Sequence, residues 1–186
     1  MSAVEWYEEI GASDNSMQQC DLLTGIQVAK IERNAVLGDD QPRIRARIAL
    51  VNAVILTQTC DIEKTSVKML LLAQLMDWEA MSASMGGDSD EQFQRRRELR
   101  RGHSFHMVLL QDRASAPKME WSVVNFRNLY TVPKSLVQEH VNGEGMRLRM
   151  TPPHREMVSQ AFGKYFMRVA LVDDLQRFET TVEVSE

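Results

Sequence analysis

A cysteine and a carboxylate stand side by side where an apolar stretch ends, in the segment AVILTQTCDIEK of residues 53–64. A thiolate is a strong nucleophile when a histidine, a cation or a helix N-terminus lowers the pKa of its thiol. Thr59, Cys60 and Asp61 are therefore candidate catalytic residues of a nuclease or thiol-dependent hydrolase. The alternative is a small buried thiol beside an aspartate that accepts hydrogen bonds from turn N–H groups. This alternative is favoured, because no motif ties Cys60 to any of the four histidines.

An arginine-rich segment is the second candidate, and it can bind phosphates or an acidic protein partner. Its members are Arg95, Arg96, Arg97, Arg100 and Arg101. The surrounding sequence predicts a helix that is capped by Ser89 and ends at Gly102. A solvated helix end is the simpler alternative, because the helix dipole favours cations there.

A second group of cations could line a groove near the C-terminus. The group comprises Arg147, Arg149, Arg155, Lys164 and Arg168. The alternating segment Met146–Met150 predicts a strand, so Arg147 and Arg149 would share one face. Ion pairs with Glu144 and Glu156 are the favoured alternative for this group.

The sequence carries no signature of a metal or cofactor site, and we expect neither. His103 and His106 are three residues apart, which puts them on opposite faces of a strand. Cys20 and Cys60 are remote from them along the chain. Nucleotide-binding glycine loops and the zinc-protease and serine-hydrolase motifs are missing from the sequence, which argues against those classes.

The bulk composition is that of a cytoplasmic globular protein. The 186 residues suit one domain, and a net charge of −4 argues against non-specific coating of nucleic acid. Two cysteines are too few for a secreted disulfide scaffold. The N-terminal residues lack the features of a signal peptide, and no apolar run is long enough to span a bilayer. We expect no membrane contact.

Short strands with turn residues between them dominate the pattern and predict a mainly β fold, a strongly curved barrel. Strands are predicted over 21–31, 43–48, 50–56, 67–73, 103–111, 120–126, 129–132 and 146–150. The barrel would comprise 20–78 and 103–172, including a packed C-terminal helix capped by Thr151 with Pro152 at its first position. Residues 79–102 would be a helical insertion with a linker over 81–90, and 173–186 an acidic tail. A helical turn is expected around 4–10.

The order of several segments resembles the MazF/PemK toxin barrels, which have an SH3-like fold. The similar segments are Cys20–Leu23 (CDLL), Ala53–Thr57 (AVILT), Leu70–Leu75 (LLLAQL) and Asn128–Ser135 (NLYTVPKS). The resemblance implies an SH3-like barrel and metal-independent cleavage of single-stranded RNA. It places the family's catalytic arginine at Val51 and its catalytic threonine near Met76. Neither residue can stabilise a phosphorane or move a proton. The TQTCD box and the AFGKYFMRV end also resemble unannotated bacterial proteins.

These observations predict a non-catalytic binding module of a bacterial toxin–antitoxin or defence system. It would contact nucleic acid or an acidic protein partner through its arginine-rich faces, within a larger complex or a homo-oligomer. The alternative is a metal-independent ribonuclease or a cysteine-dependent hydrolase centred on Cys60 and Asp61.

Overall fold

A computed structural model of the chain describes residues 5–31 and 46–167. Seven strands and five helices lie in these ranges. The strands are β1 (Tyr7–Ile10), β2 (Asp21–Ile31), β3 (Ala46–Ile55), β4 (Met69–Asp77), β5 (Met107–Leu110), β6 (Ser122–Pro133) and β7 (Arg147–Met150). The helices are α1 (Thr59–Ile62), α2 (Trp78–Met85), α3 (Ser89–Arg100), α4 (Lys134–Gly143) and α5 (His154–Phe166).

The strands form one antiparallel sheet in the order β1-β7-β2-β3-β4-β6-β5. The predicted mainly β fold is therefore confirmed, but backbone pairing does not close the sheet into a barrel, because β1 and β5 remain edge strands. Side chains nevertheless link the two edges. The Tyr7 hydroxyl donates a hydrogen bond of 2.6 Å to the Gln111 carbonyl, just after β5. Arg113 forms an ion pair with Glu9 of β1.

Each face of the sheet carries its own apolar core, as the alternation of side chains along the strands requires. One core contains Leu22, Val54 and Phe126 and is covered by α5, which contributes Val158, Phe162 and Tyr165. The other contains Ile26, Ile55 and Leu72 and is covered by α4 through Val137 and Val141. The two cores fix α5 and α4 on opposite faces of the sheet.

The segment between β4 and β5 contains two helices, α2 and α3, instead of the predicted linker followed by one helix. Residues 81–90 were predicted as a linker, but most of them belong to α2 or to the start of α3. Trp78, Met81 and Leu99 bury themselves against Val123 of β6. Since this burial fixes both helices on the sheet, small polar residues within α2 do not prevent helix formation. Asp88, rather than the predicted Ser89, caps α3 through the N–H groups of residues 90 and 91.

Four other local predictions differ from the structure. The two strands predicted over 43–48 and 50–56 are, from residue 46 onward, the single strand β3. The predicted helical turn around residues 4–10 is instead strand β1, which pairs with β7 from Tyr7 to Ile10. The two short strands predicted over 120–126 and 129–132 form the single strand β6. Helix α5 begins at His154, after the Pro152–Pro153 pair, and Thr151 makes no side-chain cap. Residues 43–45, Arg168 and the predicted tail 173–186 lie outside the described residues.

Candidate functional site

The Cys60 region has the geometry of a surface turn. Cys60 is exposed on the single-turn helix α1, so the expectation of a buried thiol does not hold. Its Sγ lies 3.7 Å from the Gln58 side-chain oxygen. Asp61 pairs with Lys64 at 2.6 Å, and the Thr59 hydroxyl accepts a 3.1 Å hydrogen bond from the Gln19 N–H. Each predicted catalytic side chain therefore has a local partner that accounts for it.

A nucleophilic cysteine needs a base within hydrogen-bond reach, which a third group orients. Among the contacts of Cys60 within residues 5–31 and 46–167, none supplies such a base. The neighbouring carboxylate of Asp61 is already paired with a lysine. These contacts favour the structural explanation for Thr59, Cys60 and Asp61.

Arg147 and Arg149 lie inside the protein, not on an open groove. They are 2% and 3% exposed, and the Asp21 carboxylate between them is fully buried. Arg149 forms a bidentate pair with Asp21, and Arg147 Nε lies 3.5 Å from the same carboxylate. Burial opposes the charge of Arg149, but the hydrogen bond and charge of Asp21 outweigh it and raise the pKa of Arg149. A charged group buried this deeply requires such a partner.

The same two arginines fasten the segment that precedes β2. Arg147 donates to the carbonyls of Asp14, at 2.7 Å, and of Ser16. Arg149 also reaches the Ser16 carbonyl, at 3.1 Å. The partner of both arginines is Asp21 and not the expected Glu144 or Glu156. We conclude that Arg147 and Arg149 hold the fold together and are not available to a ligand at the surface.

The arginine-rich segment divides into two groups with different surroundings. Arg95 donates a 2.6 Å hydrogen bond to the Gly86 carbonyl and lies 3.5 Å from Glu91. Arg96 pairs with Glu79 of α2 at 2.7 Å, and Arg97 is exposed. Arg96 also borders a small pocket beside Trp78. Arg100 and Arg101, at the end of α3, line a larger groove. Arg95 and Arg96 therefore have partners on neighbouring turns or on α2, whereas Arg100 and Arg101 face the larger groove.

The groove has a volume of about 680 Å³ and lies between the end of α3, strand β5 and helix α5. We call it the α3–α5 groove. Its lining residues are Trp6, Leu99, Arg100, Arg101, Gly102, Ser104, Phe105, Met107, Val108, Leu109, Trp121, Met157, Gln160, Ala161 and Lys164. The volume falls in the range of ligand-binding clefts.

Charge is segregated in the α3–α5 groove. Its lining includes three cations, Arg100, Arg101 and Lys164, and no aspartate or glutamate. None of the three has an ion-pair partner within 4 Å among the described residues, unlike Arg155, which pairs with Glu156 at 2.9 Å. The structure thus brings together members of both predicted basic groups and leaves Arg155 outside. Arg168 cannot be assigned, because it lies beyond the described range.

Aromatic side chains accompany these cations. Trp6 stacks on the His154 ring, with centroids 3.9 Å apart and planes 10° from parallel. The Thr151 N–H donates to the Trp6 carbonyl at 3.0 Å, which fixes the backbone at this position. Trp121 and Phe105 are 45% and 67% exposed. Aromatic rings that lie near cations without an ion-pair partner in the described ranges are suited to stacking against a planar ligand.

Sequence reasoning did not identify most of this groove. Trp6 lies in an acidic lead-in, Trp121 in a strand edge and Met157 in a helix stripe assigned to the core. The one usable signal was the four-residue spacing of Gln160 and Lys164, which puts both on one face of α5. Long-range folding is needed to bring that face to the end of α3.

Val51 and Met76, where the resemblance to MazF/PemK toxins would place a catalytic pair, do not form a site together. Val51 is buried in the core beneath α4, and Met76 packs beside Trp78 and Leu99. They belong to different apolar clusters, and neither lines the α3–α5 groove.

Comparison with protein-family models, with curated proteins and with solved structures found no match. Among the helices of the described ranges, none combines the length and the hydrophobicity that crossing a bilayer requires. No group of three or more His, Cys, Asp or Glu side chains in residues 5–31 and 46–167 is arranged to hold a metal ion.

Proposed function

We propose that this protein is a non-catalytic module that binds single-stranded nucleic acid in the α3–α5 groove. One observation carries the proposal: the groove combines three cations without a lining acid and three aromatic side chains. The whole chain has more acidic than basic residues. A concentration of cations in one cleft of such a chain is suited to an anionic ligand.

The chemistry of single-stranded nucleic acid matches both parts of this lining. Phosphates pair with Arg100, Arg101 and Lys164, while bases stack on Trp6, Phe105 or Trp121. Each stacked base contributes about 1–3 kcal/mol and does so with little sequence preference. A duplex hides its bases, so it would use the cations alone and bind more weakly.

An acidic segment of a protein partner is the second candidate. The observation that favours it is the aliphatic floor of the groove, which includes Leu99, Met107, Val108 and Met157. Apolar side chains of a peptide can fill such a floor, and methionine adapts to irregular shapes. The two candidates differ in the contribution of the aromatic rings, which matter more for bases.

The test is fluorescence anisotropy with labelled single-stranded RNA and DNA of mixed sequence. We expect the variant Arg100→Ala/Arg101→Ala/Lys164→Ala to bind at least about 10-fold more weakly, because it loses three phosphate partners. The matched control is Arg95→Ala/Arg96→Ala/Lys118→Ala, which removes the same charge from outside the groove. We expect its affinity to stay within about 3-fold of wild type.

Equal losses of affinity in both triple variants would mean that only the net charge matters, and would refute binding in the α3–α5 groove. The variant Trp121→Ala separates the two candidate ligands. A loss of about 1–3 kcal/mol for single strands supports base stacking. No loss for nucleic acid, together with tight binding of an acidic peptide, would replace the first candidate by the second.

The membership in a toxin–antitoxin or defence system remains a proposal based on the resemblance to MazF/PemK barrels. Its catalytic alternative has a direct test. Prolonged incubation with single-stranded RNA should leave the strand intact on a denaturing gel. Cleavage that Cys60→Ser abolishes would establish the enzyme instead.

A further inference from the structure

Strands β2 and β3 continue beyond the rest of the sheet as a two-stranded ribbon. The ribbon consists of residues 26–31 and 46–51, in register from Ile26 opposite Val51 to Ile31 opposite Ala46. β4 pairs with β3 only from Asn52 onward, and β7 pairs with β2 only at Asp21 and Leu22. Within the described part of the chain, no strand extends the sheet beside the ribbon.

The two faces of the ribbon differ in their surroundings. On one face Ile26, Val28 and Val51 are buried in the core beneath α4. On the other face Ile31, Ile48 and Leu50 are 70%, 67% and 70% exposed. Three such side chains expose on the order of 400 Å² of apolar surface, which is the size of the largest apolar patch on a typical monomer, a patch that often has a function.

Among the described residues, no strand pairs with the outer edge of β3 over residues 46–51. The edge of residues 46–51 carries one charged residue, Arg47, and no carboxylate. A long apolar edge is a template for another strand, and edges are commonly protected by charge or by shortness. The edge strand β1 fits that rule, since it has four residues and includes Glu8 and Glu9. The β3 edge lacks the same protection.

We propose that the β3 edge pairs with the β3 edge of a second copy of this chain. An antiparallel pair centred on Ala49 places Ile48 opposite Leu50 and Arg47 opposite Val51, so no like charges face each other. Such self-complementarity is what a twofold interface requires. Residues 47–51 are the window available for this register, because β4 occupies the edge from Asn52 onward and residue 46 would lie opposite Asn52.

The size of the surface sets the expected strength. Pairing at the edge buries mainly the backbone of β3 and the flanks of Ile48 and Leu50, and it leaves the exposed face of the ribbon open, so the interface is smaller than the roughly 1,200 Å² at the low end of stable complexes. The dimer should therefore dissociate on dilution. The interface uses β3 and not the α3–α5 groove, so it stands independently of the proposed binding function.

Sedimentation velocity over a range of protein concentrations tests the pairing. We expect wild type to reach twice the chain mass of 21.3 kDa at high concentration. Ile48→Lys/Leu50→Lys should remain a monomer, because two like charges would face each other across the twofold axis. The matched control is Phe93→Lys, an exposed apolar residue of α3, which should dimerise like wild type.

A disulfide provides a second test that does not depend on the lysine variant folding. In the Cys60→Ser background, Ala49→Cys should form a disulfide-linked dimer under mild oxidation, because residue 49 faces itself across the axis. A wild type that stays monomeric at high concentration overturns the proposal. So does a dimer that persists in Ile48→Lys/Leu50→Lys, or a dimer in which Ala49→Cys gives no cross-link.

Discussion

In the described part of the chain, Asp21 is the one fully buried carboxylate, and it pairs with two buried arginines, so its removal should be costly. Asp21→Asn would leave Arg147 and Arg149 inside the protein without a counter-charge, although the side-chain shape is preserved. Breaking a buried pair from one side costs about 3–5 kcal/mol. We therefore expect the free energy of unfolding, measured by urea denaturation, to fall by about that amount.

Asp61→Asn is the control, because Asp61 also pairs with a cation but does so at the surface. Exposed pairs contribute less than about 1 kcal/mol. A similar loss in both variants would mean that the Asp21 cluster has no special role in stability.

The two cysteines should differ sharply in reactivity. Cys20 is fully buried, its Sγ lies 3.8 Å from the Arg155 carbonyl, and burial raises the pKa of its thiol to about 12. Cys60 is exposed. Because the thiolate is the reactive form, a thiol reagent at neutral pH should modify Cys60 quickly and Cys20 only after the protein unfolds. Cys60→Ser should abolish the fast phase; survival of a fast phase in that variant would contradict this assignment.

At the scale of elements, Tyr7 joins the first strand to the far edge of the sheet. Its hydroxyl is buried and donates to the Gln111 carbonyl. Tyr7→Phe removes this bond and leaves the carbonyl without that donor. We expect a loss of about 1 kcal/mol in the free energy of unfolding at neutral pH, measured by chemical denaturation. An unchanged stability would show that the two edges do not depend on this link.

The same residue predicts the response to alkaline pH. Burial, and secondarily the charge of Asp112, raise the pKa of Tyr7 well above its usual 10.0. The folded state therefore retains this proton at pH values where the unfolded chain loses it. The stability that Tyr7 provides is complete below pH 10.0 and is lost progressively as the pH rises above it. Tyr7→Phe should show a shallower alkaline loss than wild type, and a parallel loss in both proteins would contradict this origin.

Local pattern was sufficient for most strands and for helices α3 and α5, but not for elements that depend on distant partners. The β-branched residues of 21–31 predicted β2 directly, and the alternation of residues 146–150 predicted β7. Strand β1 escaped prediction because it is a four-residue edge strand with two glutamates, and its pairing with β7 defines it. Helix α2 was read as a linker for a related reason. Its small polar sequence is held by Trp78 and Met81 packing on the sheet.

The sites show the same division between local and long-range information. Alternation placed Arg147 and Arg149 on one face, but it cannot distinguish a solvent-facing cation from one buried against Asp21. The sequence alone identified Arg100 and Arg101 as part of an arginine-rich segment. Their association with Lys164 was not, because it depends on how α3 and α5 lie across β5. The aromatic residues of the groove come from separate parts of the chain and share no sequence signal.

Over the whole molecule, the proposed function depends on a local charge that opposes the overall charge. The net charge is −4, so a nucleic acid approaching from a distance is repelled. Added salt would weaken that repulsion and also the attraction to the groove. Release of counterions from the phosphates that the groove contacts dominates this balance, so the fall of affinity with salt reports mainly how many cations contact the strand.

We expect affinity for single strands to fall with salt by a slope of about −2 in a plot of log K against log salt concentration. The reason is that three phosphate contacts each contribute about −0.7 for single strands. Anisotropy titrations between low and physiological salt measure this slope. In Arg100→Ala/Arg101→Ala/Lys164→Ala the slope should approach zero, while in Arg95→Ala/Arg96→Ala/Lys118→Ala it should match wild type. A much steeper wild-type slope that all three proteins share would place the contact surface outside the α3–α5 groove.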